Sequence, residues 1–180
     1  MKKLFLMGLL LFVGFTAQAQ IQKGDVLLNG NLGYTKIDAI GTEISNFLIG
    51  TRGGLFLSEK TNLGLVLGYS SSKNNGTKNT LFTYGAYARF YKSLADNFYL
   101  FYQPQIDMGT GELGNSTDQS SFAISFRPGL SYFVSEKVAL ESTFGDISYT
   151  SQKVGNSESD RFNFNLNPNT LTFGISLLLR

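Results

Sequence analysis

Apolar and polar residues alternate along most of this chain with a period of two, the spacing of an extended strand whose side chains point to opposite faces. In residues 25–35, "DVLLNGNLGYT", Val26, Leu28, Leu32 and Tyr34 fall on one face, and Asn29, Asn31, Gly33 and Thr35 on the other. Residues 46–57 separate Phe47, Ile49, Leu55 and Leu57 from Asn46, Gly50, Arg52 and Gly54, and residues 62–70 carry Leu63, Leu65, Leu67 and Tyr69. Residues 81–91 set Phe82, Tyr84, Ala86, Ala88 and Phe90 against Thr83, Gly85, Tyr87 and Arg89. The alternation continues through residues 97–107 (Phe98, Leu100, Tyr102 and Ile106 opposite Gln103, Gln105 and Asp107) and 121–133 (Phe122, Ile124, Phe126, Leu130 and Tyr132 opposite Ser125, Arg127, Gly129 and Ser131). Residues 138–145 and 170–179 complete the series, the first with Val138, Leu140 and Phe144 against Glu141 and Thr143, the second with Leu171, Phe173, Ile175, Leu177 and Leu179 against Thr172, Gly174 and Ser176. No charge falls on any apolar face. Eight segments predict eight strands.

The connections alternate as well. Those after the second, fourth and sixth segments are short ("SEKT", "KSLAD", "SEK"), and those after the first, third, fifth and seventh are longer and polar ("KIDAIGTEI", "SSKNNGTKN", "GTGELGNSTDQS", "SQKVGNSESD"). An even number of antiparallel strands with tight turns at one end and longer loops at the other is the arithmetic of a transmembrane β-barrel. The expected fold is therefore all-β: an eight-stranded antiparallel up-and-down transmembrane barrel with both termini periplasmic. Ser58-Glu59-Lys60 and Ser135-Glu136-Lys137 are then one turn used twice at the same end.

Period two does not say which face points outward, because a soluble sandwich or a lipocalin-like binding barrel turns its apolar face inward. Composition favours lipid outside. Charged residues make up 16% of the chain, against about 25% in ordinary soluble proteins, and lysine and glutamate gather in the connections. The polar faces carry mostly Gly, Ser, Thr, Asn and Gln, a set small enough to pack a narrow interior. Strand-end aromatics such as Tyr34, Tyr69, Phe90, Phe98 and Tyr132 are suited to interfacial girdles.

The N-terminus agrees with export. Lys2 and Lys3, the apolar run at 4–15 and Ala17-Gln18-Ala19 have the layout of a secretory signal cleaved after Ala19. Residues 1–19 are thus expected to be a signal peptide and residues 20–180 one barrel domain destined for the outer membrane. Removing Lys2 and Lys3 from the 15 basic residues leaves 13 against 13 acidic ones. A neutral chain offers no nucleic acid the basic footprint that binding needs. With no cysteine, the fold has neither disulfides nor a lipid anchor.

Two features strain the pattern. Pro104 and Pro128 lie inside expected strands, where each removes a ladder donor, so a bulge or local break is expected at both. Phe162, Phe164 and Leu166 are out of phase with Leu171 and Phe173, which calls for a bend near Asn167-Pro168-Asn169 and leaves residues 162–166 projecting above the membrane.

Candidate chemistry is confined to the interior. Arg52, Arg89 and Arg127 all sit on strands running toward the short turns, within roughly 13 Å of one another in height at about 3.3 Å per residue, so they should form one layer. Glu141 is the natural counter-charge, with Asp107 nearer the mouth and Tyr87 and Gln103 in the same polar network. Buried charge needs such partners, so an ion network filling the lumen is one reading, and a binding or selectivity site for a small anion is the other. No cofactor or metal is expected. With no histidine and no cysteine, Ser-His-acid and Cys-His systems are excluded, so the chain reads as a non-enzyme. The run "GTGELG" (109–114) lacks the Lys-Ser/Thr and the following helix of a phosphate loop, and is expected as an exterior loop.

The segments "RPGLSYFVSEKVALESTFGDISY" (127–149), "YARFYK" (87–92) and "LTFGISLLLR" (171–180) resemble the small single-domain outer-membrane β-barrel proteins of the porin-like group in Gram-negative bacteria. The resemblance spans the mature chain and implies fold and location more than activity. It implies outer-membrane lipids, lipopolysaccharide and the outer-membrane assembly machinery as partners. Such chains often end on an aromatic residue that this machinery reads, and this one ends on Leu179-Arg180, with Phe173 as the nearest substitute. Two functional classes follow: a structural or surface-interaction barrel with a side-chain-filled lumen, or a narrow porin-like conduit or carrier for small solutes, anionic or apolar. A soluble lipocalin-like binding barrel is the third alternative.

Overall fold

The computed structural model describes residues 21–39, 42–114, 116–166 and 171–180; the expected signal peptide and the bend at Asn167-Pro168-Asn169 lie outside them. Ten strands run among the described residues: β1 (Val26–Ala39), β2 (Thr42–Ser58), β3 (Thr61–Asn74), β4 (Thr77–Ala95), β5 (Phe98–Leu113), β6 (Thr117–Phe133), β7 (Val138–Phe144), β8 (Asp146–Val154), β9 (Ser157–Asn165) and β10 (Leu171–Leu179). From β1 to β6 each pairs antiparallel with its successor. The second half of β6 then pairs with β7 and the first half with β8. Next, β7 pairs with β10 and β8 with β9, and β10 returns to β1 from Val26↔Leu179 to Asn29↔Ser176. The wall is a closed eight-stranded antiparallel barrel, with β8 and β9 added as a hairpin that extends β7 and precedes β10. The first described residues, from Ile21, and the C-terminal Arg180 lie at the same end of the barrel as the short turns.

The apolar faces point outward. Leu32, Leu65, Tyr84, Ile106, Ile124, Leu140 and Ile175, one from each of seven strands, are all exposed, and such a continuous apolar exterior is stable only where the surrounding medium is itself apolar.

The prolines have the effects their missing donors require. Beside Pro104 the β4–β5 ladder pauses between Tyr87↔Gln105 and Phe90↔Tyr102 without changing register. Beside Pro128, the pairs Gly129↔Thr143 and Phe126↔Ile147 set three steps of β6 against four on its partner. That extra residue is a β-bulge, and Gly145 at φ 84 accommodates it.

Two expectations are corrected. The long polar connections are the upper ends of hairpins: β4 alone runs 19 residues, where a crossing takes about 9–11, and β3 turns into β4 through Asn75 and Gly76 at φ 46 and 86, the two positive-φ residues of a tight hairpin. The run at 109–114 belongs largely to β5, not to a loop. Residues 162–165, expected to project above the membrane, form part of β9 and are not a free segment, with Phe162 and Phe164 paired to Tyr149 and Ile147. The upper parts of β3, β4 and β5 are polar on both faces, so no apolar alternation marks them in the sequence.

The repeated Ser-Glu-Lys is a repeated turn. Ser58 Oγ accepts a hydrogen bond from Lys60 N at 3.3 Å, and Ser135 Oγ accepts one from Lys137 N at 3.3 Å and another from Val138 N at 3.1 Å. Serine reverses the chain by satisfying the backbone groups that the ladder abandons.

Candidate lumen site

At the turn end the interior is dry. Leu27, Phe56, Tyr91, Phe101, Phe133, Ala139 and Leu178 form a buried cluster that Ile21 completes from the N-terminal segment. That segment is fixed by Gly24 N donating to Phe56 O and Phe56 N donating to Asp25 O, both at 2.8 Å. Rings interlock through it, with Tyr91 and Phe101 centroids 6.0 Å apart and Tyr99 and Phe133 edge to face at 5.6 Å.

Upon this layer sits Arg89, the largest fully buried side chain among the described residues. From β4 its Nη1 donates to Glu141 Oε1 on β7 at 2.6 Å and to Tyr91 Oη at 3.0 Å, and its Nε donates to Gln103 Oε1 on β5 at 2.8 Å. The guanidinium lies 4.1 Å from the Phe101 ring centroid. A fully desolvated ion pair persists only with this many additional contacts. Tyr87, from the same strand, fills the space above Gly54 and Gly64, where any Cβ would collide with the Tyr87 ring or hydroxyl.

The network then climbs the lumen through β5. Gln103 Nε2 donates to Gln105 Oε1 at 2.7 Å, and Gln105 Nε2 donates to both carboxylate oxygens of Asp107, at 2.9 and 2.7 Å. Arg127 donates through Nη1 to Gln105 Oε1 at 3.4 Å and through Nε to Asp146 Oδ1 at 3.0 Å. Ser148 Oγ and Asn163 Nδ2 also donate to Asp146.

The three arginines thus have three different situations. Glu141 takes Arg89 alone, Arg127 takes Asp146, and Arg52 has no hydrogen-bond or ion-pair partner among the described residues. Asp146 and Gln105 are the network members that the sequence reading did not select. Ending the seventh strand at Gly145 hid Asp146, although "DISYT" resumes the alternation there.

Above Arg89 the lumen is open. One cavity of about 180 Å³ is lined by Asn31, Arg52, Thr83, Gln105 and Asp107 among others, and a second of about 300 Å³ lies beside it between β1 and β10. No group of three or more Asp or Glu side chains able to hold a metal ion comes together among the described residues. The interior is therefore a cup, sealed at the turn end and polar toward the loops.

A family model described as "Outer membrane protein beta-barrel domain" matches residues 5–177. Among solved structures, the outer membrane protein OprG from Pseudomonas aeruginosa matches with a TM-score of 0.56 and 12% identity, over 91% of this chain and 99% of that one. The N-terminal β-barrel domain of Pseudomonas aeruginosa OprF matches with a TM-score of 0.48 and 14% identity, over 88% of this chain and 98% of that one. No curated relative matches. The likeness to OprG is one of fold.

Proposed function

The chain belongs to the outer membrane protein β-barrel family, and from that premise we propose that it is an integral surface barrel that works through its walls and outer hairpins instead of conducting through its axis. The observation that carries this is the seal: Arg89 is 0% exposed, clamped by Glu141, Gln103, Tyr91 and the Phe101 ring, with a layer of interlocked aromatics beneath it. Ions crossing the barrel would have to displace a charge pair and a dry core together.

On this reading residues 1–19 direct export, the turn end and both termini face the periplasm, and the long hairpins rise from the cell surface. Lipids, lipopolysaccharide and the assembly machinery contact the wall, while a surface partner meets the polar hairpins. The reading assigns the protein no catalytic step. A narrow conduit for small anions is the second reading, favoured by the unpartnered Arg52 in the open half of the lumen.

Planar-bilayer recording of the purified barrel distinguishes the two. A silent membrane is expected from the wild-type protein. Discrete unitary openings whose ion preference changes in Arg89→Ala would overturn the sealed reading in favour of the conduit.

A further inference from the structure

The lumen network sets Arg52, Arg89 and Arg127 against Asp107, Glu141 and Asp146. Two ion pairs form, Arg89 with Glu141 at 2.6 Å and Arg127 with Asp146 at 3.0 Å. One charge of each sign is left over. Arg52 has no hydrogen-bond or ion-pair partner among the described residues. Asp107 has the Gln105 amide as its donor there, although a carboxylate offers about four lone-pair sites.

The ladders hold these two charges apart on a single row. Arg52 on β2 pairs with Val66 on β3, Val66 with Gly85 on β4, and Gly85 with Asp107 on β5. Three inter-strand steps of about 4.8 Å separate the two backbones by roughly 14 Å around the wall, and the side chains form no ion pair. Between them the wall is bare. Gly85 has no side chain, and the Asp107 carboxylate lies over it, where a Cβ would collide with Oδ1. Gly50 and Gly68 add no bulk either, so Arg52 and Asp107 line one hollow of about 180 Å³, together with Asn31 and Thr83. That volume is below the roughly 300–1,000 Å³ of drug-sized ligand sites, so the occupant is small.

Charge narrows the occupant further. A simple anion on Arg52 would leave Asp107 as before, and a simple cation on Asp107 would leave Arg52 as before, each a poorly compensated charge in a narrow interior. We propose that the hollow binds a small zwitterion with one carboxylate and one primary ammonium group, the carboxylate on Arg52 and the ammonium on Asp107. The planar fork of Arg52 takes the carboxylate, the ammonium donates to the remaining lone pairs of Asp107, and Asn31 and Thr83 supply neutral polar contacts. Every charge in the network is then matched and the lumen stays neutral. The hollow lies above the Arg89 seal and does not depend on it: a barrel that conducts would carry the same two charges.

The test is a saturation-transfer NMR titration of the mature barrel in detergent micelles with glycine, β-alanine and 4-aminobutyrate, using acetate and methylamine as single-charge controls. The expected result is saturable one-to-one binding of at least one zwitterion, about tenfold or more tighter than either control. Arg52→Gln and Asp107→Asn should each weaken it about tenfold or more. Gly68→Leu should abolish it by filling the hollow, since a Cβ at Gly68 meets nothing nearer than Thr83 Cβ at 3.8 Å. Each variant is first shown to be folded by its heat-modifiable mobility in SDS. Absence of saturable binding to the wild type, or unchanged affinity in folded Arg52→Gln, Asp107→Asn or Gly68→Leu, overturns the proposal. Acetate bound as tightly as the zwitterions overturns it in favour of a free-anion site, and methylamine bound as tightly overturns it in favour of a cation site.

Discussion

Glu141→Gln tests the energetics of the seal most directly. The substitution preserves shape and a hydrogen-bonding oxygen while deleting the charge that faces Arg89 across 2.6 Å. Both side chains are almost wholly removed from solvent, at 1% and 7% exposure, so water cannot take over from the missing carboxylate. Breaking a buried pair from one side costs about 3–5 kcal/mol. The lower end applies here, because Gln103 and Tyr91 continue to accept from Arg89 and the Phe101 ring remains beneath it. A loss of about 3 kcal/mol corresponds to a fall of about 1–3 M in the urea midpoint at ordinary slopes. The assay is urea unfolding in lipid vesicles, followed by the compact band in unboiled SDS gels and by tyrosine fluorescence, the chain having 9 tyrosines and no tryptophan. Replacing both partners, Arg89→Met with Glu141→Leu, should recover stability to within about 1 kcal/mol of the wild type, because no charge is then stranded. A midpoint unchanged in Glu141→Gln, or a double variant that loses the sum of the two single losses, would refute a coupled buried pair.

Other consequences are open to the same unfolding measurement. A Cβ at Gly129 would collide with the Phe101 ring and sit 2.7 Å from Ser142 O, whereas one at Gly30 meets only Gly50 O at 3.9 Å; Gly129→Ala is therefore expected to cost about 1–3 kcal/mol and Gly30→Ala to stay near wild type. Gly76 holds φ 86 at a hairpin tip, so Gly76→Val should cost about 1–2 kcal/mol. Arg180 reaches Asp25 at 3.8 Å and Glu136 at 3.5 Å from a part-exposed position, and Arg180→Ala should lower stability by less than about 1 kcal/mol.

The exterior of the barrel was legible because lipid imposes one rule on every outward position, and residues such as Leu65 and Ile124 obey it without local exceptions. The Arg89–Glu141 pair was legible too, since two inward charges of opposite sign near one end have few other places to go. The dry layer beneath was missed although it left a trace. At 26–28, 55–57 and 177–179 the alternation gives way to "VLL", "LFL" and "LLL", and a strand buried on both faces reads as such a continuous run. Leu27, Phe56 and Leu178 are the middle residues of those runs and turn inward. Asp146 was hidden by the bulge at Gly145, because a one-residue insertion exchanges the faces of everything beyond it. The lack of a partner for Arg52 among the described residues had no counterpart in the sequence: strand periodicity states which way a side chain points and not which charges it meets.

The seam between β1 and β10 also governs how the molecule is made. Every other ladder in the wall joins segments that are near neighbours along the chain, so the hairpins from β1 to β6 can form as soon as their turns exist. The pair Val26↔Leu179 instead requires the first strand of the barrel to wait for the last. Closing so long a loop is entropically the most expensive contact in the fold. The β1–β10 junction is therefore expected to close last and to open first, and hydrogen exchange faster at Leu27 and Leu178 than at Leu65 would show it.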